Sequence, residues 1–188
     1  MSMTGYFRLI LDAKRDDVFT IDRYETGGFD LTRFWRGETV NDPLPASVRL
    51  YLDDVAKPAA DLVGNALSWY VMSERLIEIL GVGDGDICQC LRAPLFDRKG
   101  ALVSGYRILN PLKVVDCVDW DRSIFSKMDE GKIASVERFR LDGRRVPAGL
   151  PIFRPAGFPK ALLVPGESVE KTRFKGIKGA AFSHCEVG

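Results

Sequence analysis

Five of the chain's ten prolines, Pro147, Pro151, Pro155, Pro159 and Pro165, fall between residues 143 and 166. A ring that fixes φ and removes the amide proton cannot propagate a helix. This stretch is therefore expected to run extended over a surface, and any helix must lie elsewhere. The clearest helical signal is short. Residues 67–72 are apolar and β-prone, Ser73 carries the hydroxyl of an N-cap, and Leu76, Ile77 and Leu80 follow at helical spacing before Gly81. Glycine suits the left-handed residue that closes a helix. Residues 86–91 then read as a returning strand, which makes a strand–helix–strand unit.

Residues 162–187 repeat that outline weakly. Residues 162–164 are strand-like, 165–168 form a cap-like turn, 169–174 suit a short helix, Gly176 stops it, and 180–185 return as a strand. Further strands are expected at 6–11, 29–36, 48–52, 105–110, 112–118 and 132–141, with Asp142-Gly143 as a hairpin signal. The reading is an α+β fold: mostly antiparallel sheet with few short helices, two strand–helix–strand units flanking a central sheet. Residues 1–54 form a strand-rich amino-terminal segment and 55–188 the α+β domain, together one compact unit.

Charge narrows the partners. Lys and Arg number 27 against 26 Asp and Glu, a net charge of +1. That balance does not suit a general binder of nucleic acid or of an acidic membrane surface. No stretch approaches the roughly 20 apolar residues of a membrane span. The first residues lack a basic run and a cleavage site, so no signal peptide is read and a cytoplasmic location is expected. Residues 141–178 hold eight Lys and Arg against three acids. Interleaved with Phe153, Phe158 and Phe174, they could touch RNA, but without an RNA-binding motif nucleic acid ranks last.

Chemistry-bearing constellations are sparse. Asp116, Asp119 and Asp121 are the densest carboxylate group, but at a strand end beside Trp120 and Ser123 they suit turn structure better than acid/base work. His184 is the single histidine, and neither a nucleophile elbow nor a local Cys signature accompanies it. Cys88, Cys90 and Cys185 with His184 lack the usual spacing of a structural zinc site, so reduced thiols and no metal are expected. The glycines at 81, 83 and 85 follow a helix rather than open one, which is the wrong order for a phosphate cradle. No cofactor is expected.

The order of the pieces says more than any one of them. Ser73-Glu-Arg75, then Tyr106, Leu109-Asn110, residues 116–119 and Ser123, then Phe153-Arg154 and residues 174–182 follow in sequence. In this they resemble the MXAN-type immunity proteins of bacterial polymorphic toxin systems, a family formerly catalogued as a domain of unknown function. The resemblance covers roughly residues 55–187. Pro165-Gly-Glu167 departs from it where the family usually repeats a Ser-Glu helix start.

The resemblance implies a non-enzymatic antitoxin that occludes a cognate toxin protein, with no catalytic motif to carry over. Ser73, Asn110, Asp116 and Asp119 read as fold-making members of the motif. Recognition would use exposed aromatic and arginine side chains, and the candidates are Trp35, Arg36, Trp120, Arg122, Arg144 and Arg145. The alternatives are a hydrolase-like enzyme using Asp116 and Asp119 or His184, and an accessory module for RNA or a small ligand. The sequence leaves the oligomeric state open.

Overall fold

The computed structural model describes residues 4–12, 18–53, 57, 59–128, 131–173 and 175–188. Phe174, part of the motif above, lies outside them. The chain begins with β1 (Tyr6–Leu11), β2 (Ile21–Glu25), β3 (Arg49–Leu52), β4 (Leu62–Val63) and β5 (Tyr70–Ser73). Helix α1 (Glu74–Leu80) leads to β6 (Cys88–Arg92), β7 (Leu95–Phe96), β8 (Tyr106–Pro111) and β9 (Val114–Val115). Next come β10 (Ile124–Lys127), β11 (Ile133–Arg138), β12 (Arg140–Leu141) and β13 (Arg154–Pro155). The last elements are β14 (Leu163–Pro165), α2 (Gly166–Arg173) and β15 (Ala180–Val187).

These strands do not build a central sheet. Among the described residues they form five small ones, ordered β12-β15-β1-β14, β4-β5-β8-β6, β2-β3-β7, β10-β11 and β13-β9. Three of the pairings, β12 with β15, β13 with β9 and β3 with β7, are parallel. The expected α+β layering around one sheet is therefore overturned: the described residues are β-rich, a patchwork of short sheets carrying two α-helices. The helices do lie between strands, but β5 and β6 belong to one four-stranded sheet and β14 and β15 to the other. Residue-by-residue patterning registers faces and turns, whereas the grouping of strands into sheets is decided by distant partners.

Local chemistry explains α1. Ser73 Oγ accepts from the Leu76 amide at 3.1 Å, and Gly81 closes the helix at φ +70°. Helix α2 begins at Gly166, earlier than its sequence suggests, and packs against α1. The expected strand at 29–36 is instead a 3-10 turn at Leu31–Arg33, because the Asp30 carboxylate caps the Thr32 amide at 3.0 Å. A side chain that satisfies the backbone locally competes with a sheet ladder. The strand of this region is β2, which the sequence reading missed.

The proline-rich stretch also departs from expectation. Residues 147–149 do lie exposed, but two parts of the stretch thread the interior: Ile152, Phe153, Arg154, Leu162, Leu163 and Val164 are all essentially inaccessible to solvent. Proline forbids helix but not burial, and the apolar residues between the prolines fill two of the three core clusters. The remaining cluster mixes Val18, Phe34 and Leu50 with Leu67, Trp69, Leu95 and Ile108, so residues from both sides of position 54 share one core.

The two four-stranded sheets meet at a close backbone approach. Lys178 carbonyl oxygen accepts from the amides of Asp61 and Leu62. Next to it, Gly179 sits at φ +79°, where a Cβ would come within 2.4 Å of the Leu62 carbonyl oxygen. Only glycine allows this crossing.

Candidate functional site

Two recesses bring together polar side chains that could meet another molecule. The first is an open groove of about 360 Å³ lined by Asp116, Val118, Asp119, Trp120, Asp121, Asp142 and Arg145. Its floor is set by the turn after β9. The Asp119 carbonyl accepts from the amides of Arg122 and Ser123, and the Ser123 hydroxyl donates to the same oxygen at 2.7 Å while accepting from the Arg140 amide at 3.0 Å. Backbone bonding at this turn thus rests on the Asp119 carbonyl, while its carboxylate faces Arg122 at 3.7 Å.

Trp120 is half-buried and stacks edge-on to Phe125 at 5.3 Å, with Phe139 behind it at 6.3 Å. Gly157, at φ +83°, passes so close that a Cβ would lie 2.8 Å from the indole ring. Around this anchor stand three exposed arginines. Arg144 reaches Asp142 at 2.9 Å, Arg145 faces Asp116 at 3.5 Å and Asp142 at 3.6 Å, and Arg122 completes the rim. The Arg144 guanidinium, hydrogen-bonded to Asp142, holds that carboxyl down at about 2. The pair is therefore fully ionised at neutral pH.

The structure thus gathers Trp120, Arg122, Arg144 and Arg145 on one face and sets Trp35 and Arg36 apart from the groove. Arg36 is taken up by Asp30 at 2.8 Å and by Glu38 and Thr32. Trp35 lies half-buried beneath the Lys160 ammonium, 4.4 Å from its ring centroid. Of the motif residues, Ser73 caps α1 and donates to Asp61 at 2.7 Å. Asn110 is fully buried and donates to the Glu38 carbonyl at 2.9 Å and to Gln89 at 3.1 Å, tying the 38–40 segment to β8. Asp116 and Asp119 line the groove. His184 does not line it; the imidazole is exposed on β15, edge-on to Phe7 at 5.1 Å.

The second recess is a cleft of about 390 Å³ between β1, the 62–70 turn, β11 and residues 158–160. Arg8, Asn65, Ser68, Tyr70, Ser135 and Lys160 supply its polar groups. Ser68 takes φ +55°, an uncommon conformation for a residue with a Cβ. Nothing in the sequence marked these residues, because their meeting depends on three separate sheets. Behind the cleft lies Arg154, 1% exposed, whose guanidinium donates to the Pro159 carbonyl at 2.7 Å. Burial pulls its pKa down to about 10. The basic stretch 141–178 is thus no uniform face, since one of its cations is internal and two are paired with acids.

Among the described residues no group of three or more His, Cys, Asp or Glu side chains could hold a metal ion. All four cysteines are free thiols. Burial, with the Asp116 charge adding to it, pushes Cys117 up to about 11, and burial pushes Cys185 up to about 12. Both lie above the ordinary thiol value of 9.0, so the folded state keeps protons that the unfolded chain releases. Their contribution to stability is intact below about pH 9 and falls as pH rises toward 11 to 12, by about 1.4 kcal/mol per pH unit for each thiol. Urea midpoints are expected to drop between pH 8.5 and 10.5, and a Cys117→Ala, Cys185→Ala variant to drop less. An equal drop in both proteins would assign the effect to other groups.

Among the described residues no helix is long and apolar enough to cross a membrane. A family model described as the immunity protein family Imm11 matches residues 9–146. It takes in the amino-terminal segment that the motif resemblance left aside, and it stops before the motif's last elements. No curated protein matches the chain.

Proposed function

The chain belongs to the Imm11 immunity protein family, and from that premise we propose that it is a cytoplasmic antitoxin, neutralising one cognate bacterial toxin by stoichiometric protein–protein contact. The family match over residues 9–146 carries this reading. The groove face supports it: a half-buried tryptophan ringed by exposed arginines has the composition of an interface hot spot. The arginines are held by Asp116, Asp119 and Asp142, so less side-chain freedom is lost on binding.

Co-expression with the toxin domain encoded beside the gene tests the reading. Protection and a co-purifying complex are expected, and absence of both would remove it. Arg122→Ala with Arg144→Ala, at exposed positions, is expected to weaken binding about tenfold, or roughly 1.4 kcal/mol. A folded variant with Asp116→Asn, Asp119→Asn and His184→Ala should still protect. Loss of protection there with binding retained would point to catalysis instead.

A further inference from the structure

The cleft beside β1 differs from the groove in one chemical respect. Among the described residues it is lined by two cations, Arg8 and Lys160, and by no carboxylate. Most of the chain's arginines are taken up by ion pairs across the surface. Arg8 is placed differently: its guanidinium donates to the Val136 carbonyl at 2.7 Å and lies 5.7 and 5.8 Å from the ring centroids of Phe139 and Phe158. Its Nε is buried without an acceptor. Lys160 rests on the Trp35 ring, a contact that uses none of its N–H donors in a hydrogen bond to oxygen.

The cleft is also rigidly backed. Arg154 holds the Pro159 carbonyl, and the Tyr70 hydroxyl donates to the Lys160 carbonyl at 3.1 Å. Lys160 and Phe158 are therefore fixed before any partner arrives. The buried Arg154 guanidinium, 5.9 Å from the Tyr70 ring and with its own Nε lacking an acceptor, adds positive potential from behind. Cations lining a concave recess focus their field on an anion more strongly than they would on a flat surface. Asn65, Ser68 and Ser135 line the same recess with neutral polar groups.

From this we infer that the cleft is a receptor for a carboxylate side chain, Asp or Glu, presented by an exposed segment of the toxin. The assignment rests on the antitoxin reading and names a second contact point for it. A protein carboxylate fits because the Arg8 guanidinium, with one nitrogen already given to the Val136 carbonyl, and the Lys160 ammonium can each donate to one oxygen of a planar, two-oxygen anion. A nucleic-acid backbone would call for a track of cations instead of a recess of about 390 Å³ with two. The cleft and the groove share the aromatic stack of Trp120, Phe139 and Phe158, with ring centroids 6.3 Å apart at each step. One partner lying across that stack would reach both.

The test measures affinity of the full chain for the toxin domain encoded beside its gene, over a range of salt concentrations. Lys160 is exposed, so Lys160→Glu keeps the fold. It is expected to weaken binding at least tenfold and to flatten the salt dependence. Arg8→Gln is expected to act in the same direction, and if it fails to fold Lys160→Glu decides on its own. A charge-reversed toxin, with the contacting Asp or Glu changed to Lys, should regain affinity for Lys160→Glu. Unchanged affinity and salt slope in a folded Lys160→Glu variant would overturn the carboxylate receptor while leaving the antitoxin reading in place. So would displacement from the cleft by a single-stranded RNA oligonucleotide at equal charge concentration. If the unaltered chain does not bind the toxin, both the antitoxin reading and the receptor fall.

Discussion

Phe34→Ala is expected to destabilise the protein by about 3–5 kcal/mol, the range for removing a buried aromatic side chain from a packed core. Phe34 is 1% exposed, edge-on to Trp69 at 4.6 Å and close to Phe29 at 5.9 Å. It comes from the segment after the 3-10 turn, whereas Trp69 precedes β5, so this contact joins the first 54 residues to the rest. Urea unfolding followed by tryptophan fluorescence should show one transition moved to much lower denaturant. We propose on this basis that both segments unfold together. A biphasic curve, in which an early step disturbs Trp69 and a later one keeps the wild-type midpoint, would show the amino-terminal segment to be separable.

Asp61→Ala is the second large effect, expected at about 2–5 kcal/mol. The Asp61 carboxylate is almost fully buried beside β4. One of its oxygens accepts from Ser73 Oγ at 2.7 Å and the other from the Lys178 amide at 2.9 Å, with Arg75 at 3.8 Å. By holding the Ser73 hydrogen, it leaves the hydroxyl lone pair aimed at the Leu76 amide, so the cap of α1 depends on it. Alanine would strand the Ser73 hydroxyl and the Lys178 amide together, at the junction of the two four-stranded sheets. Asp61→Asn keeps one acceptor and should cost about half as much. Equal urea midpoints for the alanine variant and the unaltered protein would show that water replaces the carboxylate there.

What the sequence revealed and what it hid follow one physical division. Helix α1 was legible because its start and stop are written locally, in the Ser73 hydroxyl and the Gly81 backbone. The 3-10 turn at Leu31–Arg33 was hidden because alternating side chains in 29–36 suggest a strand, while one carboxylate, Asp30, redirects the backbone. The interior course of residues 152–155 and 161–164 was hidden because proline content describes backbone freedom and says nothing of burial. A central sheet was expected because strands can be counted in a sequence, whereas their sorting into five sheets cannot.

The candidate site divides in the same way. Choosing aromatic and arginine residues by type selected Trp120 and Arg145, which line the groove, and Arg122 and Arg144, which pair with acids that line it. The same rule also selected Trp35, whose ring is half covered, and Arg36, which is absorbed by Asp30 and Glu38. It passed over Arg8 and Lys160. What sets them apart is that, among the described residues, no acid pairs with them in three dimensions, and no local pattern records an absence.

Strand β15 has a consequence for the life of the molecule. It pairs on one side with the whole of β1, through residues 180–185, and on the other with β12, through Glu186 and Val187. On a ribosome, β1 emerges long before its partner and must wait for residues 180–185 before its longest ladder can close, and such long-range closure is slow. A nascent chain would therefore lack this sheet until synthesis reached those residues. A premature stop before Ala180 would leave both β1 and β12 without the strand that joins them.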